Sequence, residues 1–227
     1  MRDRFRSMFF RVILWMALPI VMFASPAAAQ PLQILVFGDS LSSGFDLEEA
    51  QGFPAVLKHR LPADGYDVGV WNASGPGDTS SDGLARIDLA LEHHPDLVIL
   101  EFGANDMLDG VNPKVTYQNL NAMISIIQAR GAQVILAGML SLPKNGPHYV
   151  VGFNNIYPTL ARARHVPFYP FFLEGVYGHS SLMMDDKEHP NAAGVVRIVA
   201  GIAPLVERTL KSMASHRTAR VSHYRPQ

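Results

Sequence analysis

Five short runs of strand character constrain this chain more than any other feature: residues 33–37, 68–72, 97–102, 133–137 and 166–169. Between them apolar residues fall at helical spacing, as with Phe53, Val56, Leu57 and Leu61, or Leu84, Ile87 and Leu91. Strand–helix alternation with crossovers of this length implies a parallel sheet covered on both faces. Leu97 to Phe102 is almost wholly apolar, which predicts a strand at the centre of that sheet. The expected fold is α/β: a three-layer α/β/α domain, flavodoxin-like, around a parallel sheet of about five strands.

Local signals set the element boundaries. Asp64-Gly65 predicts a turn before the second strand, and Thr79 or Ser80 can cap a helix running to about His93. Pro113 suits the first turn of a helix that Gly131 closes. A Pro/Gly loop from Leu140 to Pro147 leads into a helix ending near His165, and Phe171 to Met184 reads as irregular and aromatic. From Pro190 a helix rich in Ala, Val and Ile is expected to about Met213. The tail, residues 214–227, carries Arg217, Arg220 and Arg225 without an acidic residue and reads as a disordered basic end.

The N-terminus reads as an export signal. Arg2, Arg4, Arg6 and Arg11 precede an apolar run from Val12 to Phe23, and Ala27-Ala28-Ala29 follows. A membrane span needs about 20 apolar residues, so this run is too short to be one. Residues 1–29 are therefore expected to be a signal peptide cleaved after Ala29, leaving a domain over residues 30–213 in a bacterial periplasm or the medium. The chain has no cysteine, which excludes disulfides, thiolate chemistry, Cys-based zinc sites and lipid attachment through a thiol. Without residues 1–29 there remain 15 basic and 19 acidic side chains, a net charge near −4 that gives no support for nucleic-acid binding.

Unusual polar residues stand in four loops, three of them directly after predicted strands. They are Ser40 in Gly38-Asp39-Ser40, Gly77 in a glycine-rich loop, Asn105 in Gly103-Ala104-Asn105-Asp106, and Asp186 to His189 before the last helix. The carboxyl ends of parallel strands lie along one edge, so these groups can converge there. Each suits a part in acyl transfer. Ser40 is a hydroxyl nucleophile that needs a base, His189 can be that base, and Asp186 can hold the imidazole. The Ser40 amide, the Gly77 amide and the Asn105 side chain could receive an oxyanion.

These segments resemble the SGNH hydrolases, also called GDSL esterases, and most of all periplasmic thioesterase I, lysophospholipase and arylesterase enzymes. The matching stretches are Phe37 to Ser42, Asn72 to Ser74 with Gly77 to Ser80, Gly103 to Asp106, and Asp186 to Asn191. Ile156-Tyr157-Pro158 and Pro170 to Leu173 extend the likeness, which covers nearly the whole mature chain. The resemblance implies a catalytic triad of Ser40, Asp186 and His189, and an oxyanion hole of Ser40, Gly77 and Asn105. It implies hydrolysis of esters or thioesters through an acyl-enzyme, with no metal and no cofactor. Gly75-Pro76 before Gly77 departs from the family pattern.

Other readings carry less. A metal site on Asp185, Glu188 and His189 would occupy the base that Ser40 requires. Gly38 to Ser42 lacks the last glycine of Gly-x-Ser-x-Gly, and Gly75-x-Gly77 lacks the third glycine of a dinucleotide fingerprint. Asn72-Ala73-Ser74 is a formal glycosylation sequon at a strand end. Met107, Leu108, Tyr149, Val150 and Phe153 flank the site on loops, and some of them, Met107, Leu108, Tyr149 and Phe153 foremost, are expected to line an acyl pocket. The expected partner is a small acyl ester or thioester, with no nucleic acid, no stable membrane anchor after cleavage, and a monomer as the default state. The enzymatic alternative is deacetylation of carbohydrate or peptidoglycan, and the alternative of another class is a non-catalytic lipid- or glycan-binding domain.

Overall fold

The structure is a computed structural model that describes residues 31–63 and 67–223. The strands are β1 (Leu32–Gly38), β2 (Val68–Asn72), β3 (Leu97–Glu101), β4 (Gln133–Ala137) and β5 (Phe168–Tyr169). They form one parallel sheet in the order β2-β1-β3-β4-β5. All of β3 is buried, as its apolar run predicts for a central strand. At the edge, β2 leaves Trp71 about half exposed.

The helices are α1 (Ser40–Ser43), α2 (Phe53–Ala63), α3 (Ser80–Ala90), α4 (Ala104–Leu108), α5 (Pro113–Ala129), α6 (Pro147–Asn154), α7 (Ile156–Arg164) and α8 (Ala192–His223). The path runs from β1 outward to β2 and then back across to β3, β4 and β5. Right-handed crossovers therefore put α2 on one face and α3, α5 and α7 on the other. The packing agrees: α2 lies against α8, α3 against α5, and α5 against α7. Ile34, Val36, Ile99, Leu100, Ile135 and Leu136 are fully buried between the layers, each contributing about 1.5–3 kcal/mol.

Two sequence expectations are corrected. The helix expected to end near His165 is two helices, α6 and α7. Pro158 has no N–H to offer the Asn154 carbonyl and its ring would crowd that oxygen, so the chain breaks at Asn155. Residues 214–223 of the expected disordered tail are helical, because α8 continues to His223, and residues 224–227 lie outside the described residues. Residues 214–223 contain neither Gly nor Pro, so nothing in them stops a helix already propagating. The expected signal peptide and the Asp64-Gly65 turn lie outside the described residues.

Candidate active site

Strand order reverses between β1 and β3, and such a switch point opens a crevice at the strands' carboxyl ends. The register sets Gly38 opposite Glu101, so the two chains leave the sheet side by side. A Cβ on Gly38 would collide with Ser42 Oγ and the Glu101 carbonyl, so only glycine lets β1 turn this tightly. Asp39 then caps α1, its carboxylate accepting from the Leu41 amide at 3.0 Å, and Ser40 is turned outward at the start of the helix.

Two carboxyl groups lie buried beneath Ser40. Asp39 and Glu101 are fully enclosed, and the Asp39 amide donates to Glu101 Oε2 at 3.5 Å. Burial, reinforced by Glu101 beside it, pushes Asp39 well above the usual carboxylate range. Burial likewise raises Glu101 to about 7. Asp39 Oδ2 and Glu101 Oε1 have no hydrogen-bond partner, so the pair is most stable holding a proton.

The loop after β2 is a type II turn. Asp78 N donates to Gly75 O at 3.1 Å, with Pro76 second and Gly77 third at φ +83. Proline fixes the second position, and the third needs the left-handed backbone that glycine adopts freely. A Cβ at Gly77 would meet open space within the protein, so it is the positive φ that demands glycine. Asn72, exposed at the end of β2, donates from Nδ2 to Ser43 O at 2.9 Å.

Beyond β3, Asn105 lies in the first turn of α4 and donates from Nδ2 to Asp78 O at 2.8 Å, leaving its second N–H available. Asp106, fully buried, accepts from the Ser80 amide at 2.7 Å, Ser80 Oγ at 2.5 Å and Thr116 Oγ1 at 2.8 Å. Asp106 therefore locks the start of α3 and α5 to the asparagine loop. Among the described residues, neither the Ser40 nor the Gly77 amide has an acceptor.

The last loop brings His189 to Ser40 across 149 residues of sequence. His189 Nε2 lies 2.9 Å from Ser40 Oγ, and His189 Nδ1 lies 2.7 Å from Asp186 Oδ2. Asp186 Oδ1 accepts from the Glu188 and His189 amides at 2.8 and 3.0 Å. Those bonds, the His189 amide first, hold the Asp186 carboxyl down at about 2, so it is ionised wherever the imidazole works. Phe45 packs on the imidazole with ring centres 4.6 Å apart. All five predicted residues, Ser40, Gly77, Asn105, Asp186 and His189, border one cavity of about 700 Å³.

The cavity walls depart from expectation. Met107 and Leu108 line it, as expected, but Tyr149, Val150 and Phe153 do not. Phe153 is fully buried with its ring against Tyr149 and Tyr157, and Tyr149 donates to Val111 O at 2.9 Å. They pack α6 under the loop. The wall residues that sequence reading missed are Phe45, Met139, Leu140, Leu142, Phe171 and Tyr177, which make the cavity predominantly apolar. For Leu140, Leu142, Phe171 and Tyr177 the only signal was apolar side chains on two loops, 140–147 and 171–184, to which the sequence assigned no role; Phe45 and Met139 lie outside those loops.

This fold, with a serine, an imidazole and a carboxylate in line at the switch point, defines a serine hydrolase. Comparison with known proteins gives the particular lineage. Residues 36–196 match the GDSL-like Lipase/Acylhydrolase family, and the chain belongs to that family. It is 41% identical over 194 residues to "Esterase TesA" of Pseudomonas aeruginosa, covering 85% of this chain and 96% of that protein. It is 40% identical to "Thioesterase 1/protease 1/lysophospholipase L1" of Escherichia coli K12, covering 72% and 78% respectively. The crystal structure of the psychrotrophic esterase EstA from Pseudoalteromonas sp., inhibited by monoethylphosphonate, superposes with a TM-score of 0.75 at 31% identity, covering 79% of this chain and 98% of that one. The chain is accordingly an esterase of this family, a serine hydrolase acting on esters or thioesters.

Proposed function

We propose that the enzyme hydrolyses esters and thioesters of apolar acyl groups through an acyl-enzyme on Ser40, with aryl esters, acyl thioesters and lysophospholipids as the substrate types. The observation that carries this reading is the hydrogen-bonded line Ser40–His189–Asp186 at the mouth of a predominantly apolar cavity of about 700 Å³. Ser40 Oγ attacks the acyl carbon while His189 Nε2 takes its proton, and Asp186 stabilises the imidazolium. The Ser40 and Gly77 amides and Asn105 Nδ2 receive the oxyanion. His189 then gives its proton to the leaving oxygen or sulfur, and water repeats the sequence on the acyl-enzyme. Side chains and amides carry every step, so the reading assigns no cofactor.

The enzyme works outside the cytoplasm in this reading, in the periplasm or the medium. The basic, apolar and Ala-x-Ala segments of residues 1–29 support it, with cleavage after Ala29. Among the described residues no helix is long and apolar enough to cross a membrane.

The test is hydrolysis of p-nitrophenyl acetate, butyrate, octanoate and palmitate, with Ser40→Ala beside the wild type. Turnover of the longer esters that vanishes in the variant is expected. Turnover confined to acetate would replace the reading with carbohydrate deacetylation, and folded protein with no Ser40-dependent turnover would leave a binding domain.

A further inference from the structure

The three groups assigned to the oxyanion stand on three separate loops, after β1, β2 and β3. Catalysis by such donors depends on their mutual spacing, and an error of about 1 Å can cost on the order of 10² in rate. One side chain reaches behind the first two loops and, through Asp78, bears on the third. Arg86, in the second turn of α3, donates from Nε to Asp78 Oδ2 at 2.6 Å, from Nη1 to Ala73 O, and from Nη2 to Gly38 O at 3.1 Å. Its guanidinium carbon lies 4.5 Å from the centre of the Phe37 ring and 5.8 Å from that of Phe102.

Each acceptor is a hinge of the site. Gly38 is the last residue of β1, two before Ser40, and its carbonyl also accepts from the Gly75 amide at 2.9 Å. Ala73 is the first residue after β2. Asp78 follows Gly77, closes the type II turn through its amide, and accepts from Asn105 Nδ2 through its carbonyl at 2.8 Å. The Asn105 side chain therefore hangs on the residue that Arg86 grips. Arg86 itself does not line the cavity at Ser40.

We propose that Arg86 is a positioning residue of the oxyanion hole, setting the spacing of the Ser40 amide, the Gly77 amide and the Asn105 side chain from behind. This rests on the reading of those three groups as the oxyanion donors. Arginine suits the task because its planar fork presents donors in fixed directions to several acceptors at once. Lysine carries its three donors on one nitrogen at the end of a flexible stem, so it cannot span oxygens that Arg86 reaches from three nitrogens in a fixed plane. Asp78 anchors the fork at Nε, and the two aromatic rings fix the plane of the guanidinium.

A staple that only held α3 to the sheet would change stability and leave the turnover of folded enzyme alone. The experiment measures kcat, KM and thermal midpoint on p-nitrophenyl butyrate for Arg86→Gln, Arg86→Lys and Asp78→Asn. Ser40→Ala and Arg130→Gln run beside them, because Arg130 pairs with Asp88 of the same helix α3 at 2.6 Å on the exposed surface. Both Arg86 variants are expected to lose about 10- to 100-fold in kcat with KM within about threefold, a fraction of the loss from deleting a donor outright. Lysine should restore little of it. Asp78→Asn, which keeps its backbone carbonyl for Asn105, should lose about threefold to tenfold, and the Arg86→Gln/Asp78→Asn pair should fall no further than Arg86→Gln alone. In enzyme phosphonylated at Ser40, the ³¹P resonance should move in the Arg86 variants and stay put in Arg130→Gln. Should an Arg86 variant not fold, the kcat of Asp78→Asn decides. Wild-type kcat with a lowered midpoint, or a change confined to KM, overturns the proposal. Turnover surviving in Ser40→Ala would instead remove the oxyanion reading itself, and the proposal with it.

Discussion

Ser40 and His189 meet at 2.9 Å, yet opposite kinds of structure hold them. Beneath Ser40 lie Asp39, Ser42, Glu101 and Asp106, all buried, joined to β1, β3, α3 and α5. His189 sits on a short loop whose bonds are local: Met184 N to His189 O at 2.8 Å, Lys187 N to Met184 O at 3.0 Å, and the two amides that Asp186 accepts. Asp186 remains 40% exposed at its side chain. Ser40, the proposed nucleophile, is seated on the buried core of the domain, whereas His189, the proposed base, is clipped on from outside. Disturbing the first half should therefore register in stability, and disturbing the second almost only in rate.

The largest effect falls on the clipped half. His189→Ala should lower kcat by about 10⁴, and Asp186→Asn by about 10³–10⁴, since each removes a group the proton transfer needs. Neither should move the thermal midpoint by much, because few long-range contacts depend on that loop. A large fall in midpoint for either would break the comparison, and the two loops would have to be treated as one cooperative unit.

Next comes the contrast between what supports the site and what surrounds the substrate. Phe153→Ala should cost about 3–5 kcal/mol in denaturant unfolding, as for any fully buried phenylalanine, and leave the preference among acyl lengths unchanged. Tyr177→Ala, at a ring 46% exposed on the cavity wall, should do the reverse, costing under about 0.5 kcal/mol and shifting the preference. Comparing acyl-length profiles of the two variants checks both statements at once.

The split explains what the sequence revealed. The strands were legible because burial on both faces writes an unbroken apolar run, as in β3. The catalytic groups were legible because a strand end followed by Gly-Asp-Ser or Gly-Ala-Asn-Asp is local. Pro76-Gly77 was legible too, as the middle of a type II turn, although it was met as a departure from a pattern. Phe153 misled because an aromatic near the site in sequence need not point at it; α6 turns its ring into the core. Arg86 left no trace, since an arginine on the second turn of an amphipathic helix reads as a solvated charge until the tertiary fold brings Gly38, Ala73 and Asp78 to it.

Proton linkage sharpens the comparison, because the two halves depend on pH with opposite sign. Glu101 is raised from 4.5 to about 7 by burial, so the folded protein binds its proton more tightly than the unfolded chain does. Its contribution to stability is fully present below pH 4.5 and is lost as pH rises through about 7. Glu101→Gln keeps the shape and removes that proton, so urea midpoints measured from pH 5 to 8 should fall less steeply than in the wild type. An unchanged slope would mean that Asp39, its buried neighbour, carries the shared proton instead.

The smallest effect belongs to Asp186, lowered from 3.8 to about 2 chiefly by the His189 amide. Here the folded protein binds the proton less tightly, so the contribution is present above pH 3.8 and is lost as pH falls through about 2. Because the side chain is 40% exposed, solvent screens it and the contribution stays under about 1 kcal/mol. Asp186→Asn should then flatten the stability curve only below pH 4, and leave the fall through pH 7 untouched. Glu101→Gln should flatten only the upper window. Two windows that respond to one variant each would mean that the buried corner and the exposed loop titrate as independent parts, coupled through the single bond between His189 Nε2 and Ser40 Oγ. If Asp186→Asn also changed the slope near pH 7, the loop and the buried carboxyl pair would be linked through Ser40, and the division between a built-in nucleophile and a clipped-on base would fail.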